Sequence, residues 1–222
     1  MNTVVVGSEA VELLSRITGQ KLNQRYLTPY VIFLAALVTV LLGVMFADST
    51  VTDAKKQRLL ATLNRFNPVD GDVRRLTHLM IKGVREHQVY AKTNELLTLM
   101  APLSEAEKLL LIGFGYEMSA TDGEMDIHKK KYLQVVGNRL GINPQHLAVL
   151  EAGFSHQGTV EPAALDQVRF LLNPAQFQSL DAVFVKAASD MLPALHGLSE
   201  HQAIQQHTAR VSARKKCPKY DI

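Results

Sequence analysis

The longest apolar run of the chain lies near its start. Residues 31–47 read VIFLAALVTVLLGVMFA and carry no charge. A helix over residues 30–47 would be about 27 Å long, close to the roughly 30 Å hydrocarbon thickness of a bilayer. This pattern has two interpretations. Either residues 27–47 span a membrane, with basic residues before the span and an acidic residue after it, or they form a central helix that is apolar on every side because other helices surround it.

A second copy of the pattern is found when the chain is shifted by 74 positions. Residues 30–66 then align with residues 104–140. The identical pairs are Leu37/Leu111, Asp48/Asp122, Lys55/Lys129, Lys56/Lys130, Leu59/Leu133, Asn64/Asn138 and Arg65/Arg139. The apolar helix of the second copy contains Glu105, Lys108 and Glu117 and is therefore unsuited to span a membrane. If both copies share a fold, the first apolar helix is also a core helix, and we favour that interpretation. A peripheral membrane contact is compatible with either interpretation.

Helix start signals recur along the rest of the chain, whereas strand signals are scarce. Ser104 and Glu107 form a capping-box pattern, and Asp70 or Asp72 is placed to cap the helix that follows. Asn–Pro pairs at residues 143–144 and 173–174 give two further starts. We predict helices over residues 85–100, 144–152, 162–172 and 174–195. The fold class is therefore all-α, a helical bundle with an internally duplicated unit of helix, acidic loop and helix.

The same patterns divide the chain into four segments. We predict an N-terminal amphipathic segment over residues 1–26, a helical domain over 27–155 and a C-terminal helical extension over 156–198 that packs on the bundle. Residues 199–222 are polar and basic and are expected to be a disordered tail.

The amino-acid composition and the motifs limit the kinds of function that this protein is expected to have. The net charge of +3 is small and arises mainly in the tail, so a dedicated nucleic-acid binder is not expected. The single cysteine, Cys217, excludes an intrachain disulfide and suits a reducing compartment such as the cytoplasm. The sequence contains neither an HExxH metal motif nor a serine nucleophile elbow. We therefore expect a binding or scaffold protein rather than an enzyme, and keep a hydrolase with an unrecognised site as a minor alternative.

The two acidic loops are the candidate functional feature. The first contains Asp48, and the second contains Asp122, Glu124 and Asp126. These carboxylates either hydrogen-bond loop amides and anchor the loops or converge as oxygen ligands for a divalent cation such as calcium. We expect Thr52 and Asp126 to cap the helices that follow, and Asp48, Asp122, Glu124 and Asp126 are the candidate metal ligands.

The repeated pattern resembles the TerB-like family, which includes tellurite-resistance TerB proteins and the N-terminal region of DjlA-type co-chaperones. Each copy has a loop Asp preceded by Ala or Thr, a lysine-containing helix, and a final Asn-Arg-Phe or Asn-Arg-Leu. The resemblance covers roughly residues 25–155. It implies an all-helical bundle with internal pseudo-symmetry, no established catalysis, a cation-binding acidic surface, and protein partners in membrane-associated stress complexes.

One departure from the family pattern bears on the cation. The resemblance implies glutamates at the start of the helix after each loop, but this chain has Ala54 and Lys55 in the first copy and His128 and Lys129 in the second. Lysines in these positions oppose a cation electrostatically. The resemblance therefore supports the fold more strongly than it supports the ligand.

Overall fold

The structure, a computed structural model, describes residues 6–48, 51–66, 71–120, 126–177, 182–195 and 198. All regular structure in these residues is helical, which confirms the predicted all-α class. The helices are α1 Ser8–Thr18, α2 Pro29–Phe46, α3 Asp53–Asn64, α4 Asp72–Glu86, α5 Thr93–Met100, α6 Glu105–Ser119, α7 Ile127–Arg139, α8 Pro144–Ser155 and α9 Pro162–Leu171. A further helix, α10, covers residues 182–195.

The apolar helix α2 lies at the centre of the bundle. Thr28 caps it, because its side chain accepts a hydrogen bond from the Val31 amide, and Pro29 occupies the first helical position. It packs against α3, α4, α5, α6 and α7. Among the described residues, α2 is the one helix long and apolar enough to cross a membrane, with a mean hydropathy of 2.4, and 83% of it is buried by its neighbours. In this structure it is a core helix, apolar on every side because other helices surround it.

Side-chain caps begin several other helices where the sequence predicts them. Ser104 accepts from the Glu107 amide while the Glu107 carboxylate accepts from the Ser104 amide, which completes the capping box. Thr52 caps α3 and Asn143 caps α8. These starts depend on residues within one turn, so they can be read from the sequence alone.

Three boundaries differ from the prediction. The cap of α4 is Gly71, with Asp72 as the first helical residue, so Asp72 is not the cap; Asp70 lies outside the described residues. A single helix over residues 85–100 is also wrong, because Gln88 adopts a left-handed backbone (φ 52°) that separates α4 from α5. The helix predicted over residues 174–195 is interrupted too: a short 3-10 helix, Pro174–Gln176, is followed by Phe177, whose backbone is extended.

A cluster of aromatic rings joins distant segments around α2. The Phe33 ring centroid lies 5.6 Å from that of Phe66 and 4.7 Å from that of Phe184. Phe66 also lies 5.1 Å from Phe114, and all four side chains are completely buried. These rings come from α2, the segment just after α3, α6 and α10. The cluster therefore packs α10 against the centre of the bundle.

Two glycines of α6 allow close packing. A Cβ atom at Gly113 would lie 2.3 Å from the Met191 sulfur, and one at Gly115 would lie 2.4 Å from a Leu133 methyl. The Gly-x-Gly sequence of α6 therefore allows side chains of α7 and α10 to pack closely against this helix. The two copies correspond to two successive pairs of helices, α2 with α3 and α6 with α7, and α2 packs on α6. The proposed internal duplication of these units stays a prediction.

Candidate functional site

Asp48, the candidate ligand in the loop after α2, lies beside two lysine ammonium groups. The Lys55 ammonium lies 2.6 Å from Asp48 Oδ1 and 2.5 Å from Oδ2, so it donates to both oxygens. The Lys129 ammonium lies 3.6 Å from Oδ2. Lys55 comes from the first turn of α3 and Lys129 from the first turn of α7, so two separate helices supply positive charge to this carboxylate.

Lys129 is buried to an unusual degree for a lysine. The residue is 4% exposed, whereas a lysine side chain is almost never fully buried unless it is paired. The side chains of Asp48 and Lys55 are 16% and 13% exposed. We call Asp48, Lys55 and Lys129 the ion cluster. Because water is largely excluded, its attractions are screened less than those of surface pairs.

The other candidate ligands have different roles or lie outside the described residues. Asp126 caps α7: its Oδ1 accepts from the amides of His128 and Lys129, at 2.8 and 3.3 Å. This confirms Asp126 as a cap. Asp122 and Glu124 lie outside the described residues. Within the described part of the chain, no three His, Cys, Asp or Glu side chains lie close enough to hold a metal ion. The four-residue cation site stays a prediction.

Arg65, in the Asn-Arg-Phe sequence that ends the first unit, is a structural residue. Its guanidinium donates to both carboxylate oxygens of Glu117 at 2.8 Å and lies 3.5 Å from an Asp190 oxygen. It also lies 5.0 Å from the centre of the Phe114 ring. Arg65 thereby connects the end of α3 to α6 and α10, which gives the motif a physical role in the first copy.

The outward side of α7 presents an exposed row with alternating chemistry. Ile127, Lys131, Val135 and Arg139 follow one another at four-residue spacing, so they are neighbours along one side of the helix. All four are exposed, and Ile127 and Val135 are 64% and 48% accessible. We call these four residues the α7 row. It combines two apolar and two basic side chains.

A small cavity of about 180 Å³ adjoins the α7 row. Its lining includes Tyr90, Leu96, Tyr132, Val135 and Arg139. The Tyr132 hydroxyl donates to the Tyr90 carbonyl at 3.3 Å. Burial, and next the neighbouring Tyr90, raise the pKa of Tyr132, so its hydroxyl stays neutral and serves as a hydrogen-bond donor.

Sequence reasoning missed the ion cluster and the α7 row. It treated the lysines only as replacements for expected glutamates, although each loop Asp is followed seven residues later by a lysine, as Asp48 is by Lys55 and Asp122 by Lys129. That repeated spacing is a signal for a pair between the loop and the helix. The exposure of Ile127 and Val135 has no comparable signal, since apolar residues in a helix are usually buried.

Comparison with known proteins identifies the family. The family model described as tellurite resistance protein TerB matches residues 34–152, more than half of the chain. No curated protein and no solved structure matches the chain. The matched region begins in the central helix α2 and ends in α8, and it includes the ion cluster and the α7 row. This chain therefore belongs to the TerB family and carries its all-helical domain.

Proposed function

We propose that this protein is a non-catalytic helical module that binds another protein through the outward side of α7. The α7 row is the observation that carries this proposal. Isolated exposed apolar residues are common on protein surfaces, but Ile127 and Val135 share one row, and a cavity adjoins Val135. A partner side chain in that cavity would be desolvated at the centre of a contact, where binding energy is concentrated.

The chemistry of the α7 row indicates the kind of partner. Lys131 lies between the two apolar residues and Arg139 lies at the end of the row. A matching protein segment would offer apolar side chains for Ile127 and Val135 and carboxylates for the two cations. We therefore propose an amphipathic, acidic segment of a partner protein as the ligand.

The cellular setting that we propose is inferred from membership of the TerB family. TerB membership suggests a domain like that of tellurite-resistance proteins, and the family is generally non-enzymatic. A cytoplasmic protein in a stress-response or membrane-associated complex fits this background and the proposed protein partner. A divalent cation at the second loop, held by Asp122, Glu124 and Asp126, would be compatible with this role, but partner binding through α7 does not require it.

Substitutions in the α7 row should weaken partner binding. A photoreactive amino acid at position 135 of the full-length protein would identify the partner in cells, and the purified partner would then be titrated against variants. We expect Ile127→Glu with Val135→Glu to reduce affinity at least about tenfold, about 1.4 kcal/mol, because apolar contacts are lost and two like charges face an acidic partner.

The control for this experiment is Leu60→Glu. Leu60 is also an exposed apolar residue, 44% accessible, but it lies on α3. Leu60→Glu should retain the affinity of the unmodified protein. Crosslinking at position 60 but not at 135, or equal affinity of the unmodified protein and the double variant, would contradict the proposed surface.

An integral membrane protein anchored by residues 27–47 is the second candidate, favoured by the hydropathy of α2. Removing α2 from the bundle would expose the apolar faces of the helices that pack around it. We therefore expect alkaline carbonate to release the full-length protein from membrane fractions into the supernatant. Retention in the pellet, alongside a known spanning protein from the same membranes, would favour the anchor.

A further inference from the structure

We propose that Lys55 and Lys129 are built-in counterions of Asp48, and that their ammonium groups take the place of a bound cation at the first loop. The TerB-like resemblance implies a cation-binding acidic surface that includes this loop. The contacts around Asp48 do not fit that implication. The ion cluster instead links the loop after α2 to α3 and α7 through its own side chains.

The geometry at Asp48 opposes a divalent ion. A calcium ion lies about 2.3–2.6 Å from its carboxylate ligands. Both oxygens of Asp48 are already within 2.6 Å of the Lys55 ammonium, and Lys129 is 3.6 Å from Oδ2. An ion coordinated by Asp48 would therefore stand within a few ångströms of two ammonium groups. It would have to displace Lys55 and would be repelled by the ammonium groups of both lysines.

The burial of Lys129 explains why a carboxylate is needed beside it. A buried ammonium is costly unless an anion compensates it. Lys129 is 4% exposed and lies on α7, whereas Asp48 follows α2. The Asp48 carboxylate thus compensates the charge of Lys129 on α7. This contact links the loop after α2 to α7.

Thermal unfolding of the full-length protein with and without calcium tests directly whether Asp48 binds a cation. We expect the midpoint of thermal unfolding to be the same in excess EDTA and in millimolar calcium chloride. If calcium does shift the midpoint, the proposal expects Asp48→Asn to retain the shift, because the responsible site does not use Asp48. A calcium shift that Asp48→Asn abolishes, while the control variant described next keeps it, would overturn the proposal.

Removal of the Asp48 charge tests whether this carboxylate and the lysines act as counterions. Asp48→Asn should lower the unfolding midpoint clearly, because the buried Lys129 ammonium loses the attraction of a nearby carboxylate. The matched control is Asp53→Asn, which removes the partner of Lys56 in a pair whose side chains are 88% and 57% exposed. That exposed pair contributes little, so Asp53→Asn should leave the midpoint nearly unchanged.

The double variant Asp48→Asn with Lys129→Met isolates the interaction. Its loss of unfolding midpoint should be smaller than the sum of the two single losses, since removing both charges leaves neither uncompensated. Additive losses would show that Asp48 and Lys129 do not interact and would overturn the proposal. If Asp48→Asn alone fails to fold, recovery of a cooperative transition in the double variant supports it, and failure of both variants contradicts it.

Discussion

Replacing Phe66 by alanine is expected to lower the free energy of unfolding by about 3–5 kcal/mol. Phe66 is completely buried, and its ring packs against those of Phe33 and Phe114, at 5.6 and 5.1 Å between centroids. Its removal leaves a cavity where α2, α6 and α10 meet, and the surrounding rings can close it only in part. Urea denaturation followed by circular dichroism would measure the loss.

Phe170→Ala is the control for this change. Phe170 is 61% exposed, so the same truncation removes little buried area. We expect its free energy of unfolding to stay within about 0.5 kcal/mol of that of the unmodified protein. A loss for Phe66→Ala no larger than that for Phe170→Ala would mean that the aromatic cluster does not hold the bundle together as described.

The second large effect is expected at Gly83, where α4 meets α1. A Cβ atom at this position would lie 1.7 Å from the carbonyl oxygen of Ile17 and 2.6 Å from its carbonyl carbon. The clash is with backbone atoms, so no side-chain rotation relieves it. Gly83→Ala should lower the free energy of unfolding by about 3 kcal/mol, at the upper end of the cost of overpacking, although alanine is the better helix former.

Hydrogen exchange would locate that effect. The amides of α1 should lose protection in Gly83→Ala, because α1 must move away from α4 to accommodate the methyl group. Lys82→Ala is the control, since its side chain is 67% exposed on the same helix. It should leave both stability and the protection of α1 nearly unchanged. Unaltered protection of α1 in Gly83→Ala would contradict the close contact.

The sequence predicts this fold best where the cause of a structure is local. The caps at Thr52, Ser104 and Asp126 bond amides within three residues, so each is visible in a short window. The break at Gln88 escapes prediction because apolar residues continue on both sides of it, and no glycine or proline marks the turn.

The candidate site was harder to predict because its contacts are non-local. The sequence identifies Asp48 as a loop carboxylate but does not show that Lys129, from another helix, lies beside it. A buried lysine and an exposed one look alike in sequence, and only packing distinguishes them. Aligning the two units gave the nearest indication, since it pairs Lys55 with Lys129.

Arg65 and the aromatic rings around it make contacts that reach beyond the region matched by the family model. The family match ends at residue 152, yet Asp190 of α10 lies beside Arg65, and Phe184 of α10 packs against Phe66, both inside the matched region. A fragment cut where the family ends would open one side of that aromatic cluster to water and remove one acidic partner of Arg65. We therefore expect the part of this protein that folds on its own to extend through α10, so that the region matched by the family model is only a portion of it.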